Sequence, residues 1–391
     1  MADLKPVVGV VGASARAAVH SLARAGYFAW AVDLFADCDL ARTTPSARCA
    51  FADFPHALPA LTDPFPPGPV VYTGGLENHP DVVAALAARR PLWGNTPSAL
   101  NVVRQPTFPA RVWPYDDEAV RCPTVLPGEA APPPGAWLVK TRRGAGGEGI
   151  RPYHPADPPL APAACYLQEF VPGEPMSALF VGGGGDAKLL GVTEQLVGES
   201  WLHAGRFRYA GTVGPVELPP QAERALGEFG RAAARGAGLV GLFGVDFVLA
   251  AGVAYPVEIN PRYPASAEVI EFATGRAVML DHAVGCTDPV GVRRLRRPGH
   301  HRVVGKAVYY APAALTFPTA GPWDDWEKPF DAWNLPRFAD VPEPGAHFEP
   351  GWPVLTAFAT GSSPVEVRSR LQSRAAELDQ LLAPGAEGHA P

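Results

Sequence analysis

Three oxygen-bearing side chains, Asp246, Glu258 and Asn260, are spaced so that they can act together. They lie in Gly244-Val-Asp246-Phe-Val-Leu249 and Tyr255-Pro-Val-Glu258-Ile-Asn260-Pro-Arg262, on either side of a turn at Gly252. A hairpin folded at that turn sets Asp246 opposite or diagonal to Glu258. Glu258 and Asn260 are two apart on one strand and therefore share a face. Hard oxygen donors gathered on one face suit magnesium, which keeps part of its shell for water and phosphate oxygens. Two carboxylates side by side without a cation would repel each other and lose hydration. The competing reading is a solvated hairpin face whose acids need no ion. Arg262 adds a cation two residues further on, suited to a transferring phosphate or a substrate carboxylate.

Upstream, Lys140 ends an apolar run and is followed by Gly144-Ala-Gly146-Gly147-Glu-Gly149-Ile150. A lysine at a strand end neutralises phosphate oxygens as a point charge. Glycines after it let backbone N–H groups fold over a triphosphate without Cβ clashes. The pattern is neither a Walker-type loop nor a helix-opening dinucleotide fingerprint, and a flexible hairpin tip explains the glycines equally well. Between lie Gln168-Glu169-Phe170-Val171-Pro-Gly-Glu174. A short strand there offers an apolar slot and main chain for a base, with Glu174 as an acceptor for ribose hydroxyls. An ordinary strand and turn is the plainer alternative.

The elements that must carry these groups are legible in outline. Residues 7–11 form a strand that feeds the small-residue turn Gly12-Ala-Ser-Ala-Arg16 and a helix closing at Gly26; a second strand, 28–32, ends at Asp33. Residues 70–73 form another strand, followed by Gly74-Gly75-Leu-Glu77-Asn78-His79-Pro80 and a helix after Asp81. This alternation predicts a parallel sheet with sites at strand C-termini. After a proline-laden stretch, 106–134, strands are expected at 137–140, 166–170, 176–181 and 189–195, with a helix over 221–237. Strands joined by turns then imply an antiparallel sheet. Strands at 303–310 and 354–359 and an amphipathic helix over 364–382 close the pattern, with a frayed end at 384–391. No repeat of fixed period occurs.

At 391 residues the chain exceeds one ordinary core, so two or three domains are expected. A formal charge of −6 argues against a partner bound through phosphodiester backbone. No run of about 18 apolar residues and no basic, apolar and cleavable leader is present, so neither a membrane nor secretion is expected, and a cytoplasmic location is. Five cysteines without Cys-x-x-Cys spacing predict reduced thiols rather than disulfides or structural zinc.

Lys140 with its glycine loop, Gln168 to Glu174, Asp246, and Val-Glu258-Ile-Asn260-Pro-Arg262 together resemble, in order and spacing, the ATP-grasp superfamily. The resemblance extends over nearly the whole chain. It implies an α/β and α+β multidomain protein: a Rossmann-like pre-ATP-grasp domain (1–110), a nucleotide-binding ATP-grasp domain of two subdomains (111–298) and a small C-terminal α+β domain (299–391). It further implies ATP and Mg2+, with Lys140 on the phosphates under the loop of Gly144, Gly146, Gly147 and Gly149. The backbone of Glu169, Phe170 and Val171 would meet adenine, and Glu174 ribose. Asp246, Glu258 and Asn260 would hold the metal, and Arg262 would steady the reacting oxyanion. Many members carry a phosphate-reaching lysine after the first domain; Arg104 stands near that place here and keeps the charge with a different geometry. Segments 73–83, 92–96, 305–310, 340–345 and 351–356 resemble predicted ATP-dependent carboligases related to biotin carboxylase, some of which are thought to help build one-carbon carrier coenzymes.

The activity implied is a ligase that makes an acyl phosphate from a carboxylate and passes the acyl group to an amine, with catalysis by Arg262 and Lys140. A bicarbonate-activating carboxylase and a non-catalytic ATP sensor are the alternatives, and a homodimer follows by analogy. Glu77 reads either as an amine or cation binder or as a helix-start acid. Arg206 and Arg208 read as anion binders or a solvated turn. His300-His301 reads as loop, and Lys306 as a strand residue.

Overall fold

The computed structural model describes residues 6–113, 118–156, 160–323 and 329–382. The expected frayed end, 384–391, lies outside them. Strands Ser46–Arg48, Ala29–Asp33, Val8–Val11 and Val70–Tyr72 form, in that order, a parallel sheet. Val8 and Val10 meet the helix Arg16–Arg24 through Ala18, Val19 and Leu22, while Val11 and Val32 face the other way onto Leu58 and Leu86. Period-two alternation thus buries both faces, as a parallel sheet requires.

A second, small antiparallel sheet orders Val125–Pro127, Cys165–Glu169, Trp137–Thr141 and Arg151–Pro152. The largest sheet has eight antiparallel strands: Val253–Asn260, Gly241–Ala250, Glu174–Gly183, Asp186–Val197, Tyr209–Gly214, Val303–Tyr310, Pro353–Gly361 and Phe338–Ala339. It runs without a break across the boundary expected at residue 298, because Tyr209–Gly214 pairs with Val303–Tyr310.

Alternation along this sheet decides which residues reach the site. Ala178, Phe180, Phe243, Val245, Phe247 and Ile259 point into one core, which helix Pro220–Ala237 caps with Leu226 and Phe229. Leu179, Val181 and Leu242 point the opposite way, into a core shared with Val8, Val10 and Ile270. Asp246, Glu258 and Asn260 sit at alternate positions from Val245, Phe247 and Ile259, so they stand on the face away from helix Pro220–Ala237. Helices Ser266–Thr274 and Val278–Thr287, together with Pro97–Val103 and the strand Tyr209–Gly214, are elements that the apolar patterning of the sequence did not announce.

Candidate functional site

In the hairpin Gly241–Ala250/Val253–Asn260, Asp246 is paired directly with Glu258, and Gly244 with Asn260. The three expected donors therefore converge. Asn260 Nδ2 donates to Asp246 Oδ2 at 2.8 Å, and Gln195 Nε2 donates to Asp246 Oδ1 at 2.9 Å. Burial, and then the neighbouring Glu258 carboxylate, push the Asp246 acid up to about 6. Burial pushes Glu258 the same way, but Arg104, Lys140 and Arg262 outweigh it and hold Glu258 below the usual range. Arg104 explains much of this, since its Nη1 bonds the Glu258 carboxylate directly.

The donor set fits a hard divalent cation. Two carboxylates and an amide oxygen face one side, and Asp246 carries repulsion from Glu258 that a cation would relieve. Among the described residues no cluster of three or more His, Cys, Asp or Glu side chains could hold a metal. Asn260, a neutral amide, is the third member here.

These residues open onto a cavity of about 410 Å³ that also takes in Lys140, Gly146, Gly147, Glu169, Phe170, Val171 and Arg262. Lys140 is buried at the end of its strand and donates to Gln168 Oε1 at 3.1 Å. Gly144 lines the adjoining cleft with Arg104 and Lys140. Gly149 and Glu174 line neither space: Gly149 is a turn residue with φ +74 against Thr141, and Glu174 is exposed at the start of its strand. Glu169 and Phe170 spend their main-chain N–H groups on Thr124 and Ala136 carbonyls, at 2.9 Å each.

The glycine loop is docked rather than loose. Tyr209 N donates to Gly146 O at 3.0 Å, and Arg208 pairs with Glu148 at 3.3 Å. On the other side Asn78 Nδ2 donates to Arg143 O at 3.2 Å, and Arg104 Nη2 donates to Asn78 Oδ1 at 2.9 Å. Arg104 therefore joins Glu258, Asn78 and the loop. Glu77, from the turn after Val70–Tyr72, accepts from Arg262 Nε at 2.9 Å. Arg206 lines the cavity, whereas Arg208 is engaged by Glu148. Lys306 is buried against Glu268 at 3.3 Å, and His300 and His301 lie in an exposed loop. Asn78, Gln195, Tyr209 and Ser266 were not singled out by motif. Asn78, beside Glu77, and Tyr209, beside Arg208, had a nearby signal.

Residues 115–266 match the model of the ATP-grasp domain family. The protein carries an ATP-grasp domain, and its overall fold is the multidomain ATP-grasp fold. Among solved structures it is similar to the biotin carboxylase domain of Hydrogenobacter thermophilus 2-oxoglutarate carboxylase, described in complex with MgADP, ADP and bicarbonate (12% identity, TM-score 0.67, 93% of this chain and 88% of that one). It is likewise similar to an L-amino acid ligase from Bacillus licheniformis (15% identity, TM-score 0.67, 97% and 98%). N5-carboxyaminoimidazole synthetase from Staphylococcus aureus, described with ADP, is comparable (12% identity, TM-score 0.66, 95% and 97%). No curated protein sequence matches the chain significantly. Among the described residues no helix is long and apolar enough to cross a membrane.

Proposed function

We propose that the protein is an ATP-dependent ligase that activates a carboxylate as its acyl phosphate and joins it to an amine. The observation that carries this reading is one cavity bordered by Lys140, the glycine loop, Arg262 and the Asp246–Glu258–Asn260 face. The bound nucleotides named for the carboxylase and synthetase relatives support ATP and magnesium as the species taken here. Asp246, Glu258 and Asn260 would hold magnesium, which when bound with the nucleotide draws charge from the terminal phosphates.

The chain's own groups do the rest. Lys140, desolvated and oriented by Gln168, offers a fixed positive charge to phosphate oxygens. Arg104 supplies a second cation at the loop, and Arg262, oriented by Glu77, a third at the far end of the metal face. The γ-phosphoryl passes to a carboxylate oxygen, leaving ADP; the amine nitrogen then attacks the acyl carbon and inorganic phosphate departs. The docked loop keeps water from the acyl phosphate. No side-chain nucleophile is required.

The test is a phosphate-release screen pairing carboxylates with amines, with bicarbonate as a separate arm. ADP and phosphate formed only with a carboxylate and an amine together support the ligase. Turnover with bicarbonate and no other acid would move the assignment to a carboxylase, and tight ATP binding without ADP release across the panel would move it to a sensor.

A further inference from the structure

Among the described residues, three buried polar atoms of the cavity have no partner. Glu77 is 3% exposed; one oxygen accepts from Arg262, and Oε2 has no donor. Ser266 is 3% exposed, and its Oγ is unpartnered. The hydroxyl of Tyr209 is buried and unpartnered as well. All three residues line the cavity that holds the metal face. They come from separate elements: the turn Leu76–Asn78, the strand Tyr209–Gly214 and the first position of helix Ser266–Thr274. No single local constraint explains three orphans lining one cavity. Among the described residues three other buried side-chain atoms lack partners, Trp30 Nε1, Asp37 Oδ2 and Arg104 Nε, and none of those residues lines this cavity; a buried polar group is in general paired, because leaving it unpaired forfeits its hydration for nothing.

The chemistry of the three atoms defines what completes them. A carboxylate oxygen only accepts, so Glu77 Oε2 calls for an N–H or O–H donor. A charged donor satisfies it best, since charge-assisted bonds are the stronger class. Tyr209 and Ser266 hydroxyls each donate and accept, so they match a neutral polar group beside the charged one.

We propose that Glu77, Tyr209 and Ser266 form the subsite for the amine substrate: a primary ammonium docks on Glu77 Oε2 and passes one proton to it as the nitrogen attacks, while a neighbouring hydroxyl or carbonyl meets the other two. The proposal rests on the ligase reading for its place in the reaction, and on the orphaned atoms for its chemistry. Glu77 here holds the nitrogen on the Arg262 side of the metal face.

The test uses ethanolamine, which has both groups, against choline, which keeps the charge and hydroxyl but has no N–H, and ethylene glycol, which has no charge. Each is titrated into the full-length protein by calorimetry or saturation-transfer NMR, with and without magnesium and ADP. Ethanolamine should bind at least about tenfold more tightly than choline. Glu77→Gln, which keeps an acceptor for Arg262, should weaken ethanolamine by about tenfold or more, and Tyr209→Phe and Ser266→Ala by roughly two- to fivefold each. Equal binding of choline and ethanolamine, no ethanolamine binding to the wild type, or unchanged ethanolamine affinity in Glu77→Gln would overturn the subsite. If Glu77→Gln does not fold, unchanged affinity in both hydroxyl variants does the same. ADP affinity on the same wild-type samples reports separately: its absence would sink the nucleotide reading while the amine titrations still decide the subsite.

Discussion

At the residue scale the central fact is that two adjacent carboxylates are held in different protonation ranges. Arg104 keeps Glu258 ionised, while Asp246, buried and beside Glu258, stays protonated up to about pH 6. Magnesium needs the ionised form. Magnesium-dependent nucleotide affinity should therefore be flat above pH 7 and fall by about tenfold per unit below pH 6, as a titration of nucleotide binding from pH 5 to 8 will report. The same shift has a stability consequence of defined sign. The extra proton on folded Asp246 contributes stability that is complete below the unfolded value near 3.8 and lost as pH rises through about 6. Asp246→Asn removes that dependence. The melting temperature of the variant should gain on the wild type by roughly 1–2 °C between pH 5 and pH 7.5, while magnesium-dependent turnover drops at least about a hundredfold. A gap that stays constant with pH would mean that Asp246 is an ordinary solvated acid. These acids were legible in the sequence because hairpin geometry depends on spacing alone. The Arg104–Glu258 pair was not, since 154 residues separate its members.

At the scale of elements, the glycine loop is the one whose conformation sets the site. Gly147 has φ +81, and a Cβ there would stand 1.8 Å from the Phe207 carbonyl oxygen. That contact is with backbone and cannot yield without undocking the loop from the strand Tyr209–Gly214. Gly147→Ala should therefore cut turnover by about tenfold or more and speed proteolysis within 144–149, with the global melting temperature changed by less than about 2 °C. Limited proteolysis beside a thermal melt separates the two effects. An unchanged cleavage rate would show that the loop stays docked with a Cβ at 147, and unchanged turnover with faster cleavage would show that the docking has no bearing on catalysis. Elements that are near-continuous apolar runs, such as Val303–Tyr310, or that carry proline and glycine punctuation, such as helix Pro220–Ala237, were readable from the sequence almost to the residue. The strand Tyr209–Gly214 was not. Its two glycines and threonine lack a pattern, and it is a strand because two partners flank it. Helix Ser266–Thr274 was hidden for another reason. All nine of its residues are buried, so no polar face marks a period.

At the scale of the whole molecule, the parts of the chain are joined by buried ion pairs as well as by the shared sheet. Helix Arg16–Arg24 extends Arg16 and Arg24, two turns apart, toward Glu268 and Glu271 on helix Ser266–Thr274. Arg16 also reaches Asp340 at 2.9 Å, and Arg24 donates to the Ala332 carbonyl at 2.9 Å, so the first helix grips segments on both sides of residue 298. The Arg24–Glu271 pair is nearly sealed, with side chains 1% and 0% exposed. Glu271 also accepts from Ser21 Oγ at 2.6 Å and Val278 N at 2.8 Å. Even so, burial outweighs these partners and raises its acid above the usual range. Removing the guanidinium leaves a carboxyl that burial then drives further toward the protonated form. Arg24→Met should accordingly destabilise the protein by about 3–5 kcal/mol at pH 8 and by less at pH 5, where the stranded acid is neutral more cheaply. Adding Glu271→Gln to that variant should recover more than half of the loss, because breaking a buried pair costs more than replacing it. Denaturant unfolding of the single and double variants at both pH values checks the sign and the recovery together. A single-variant cost below about 1 kcal/mol at pH 8 would mean that the Arg16 ion pairs and the apolar packing of the first helix hold it in place without the Arg24–Glu271 pair.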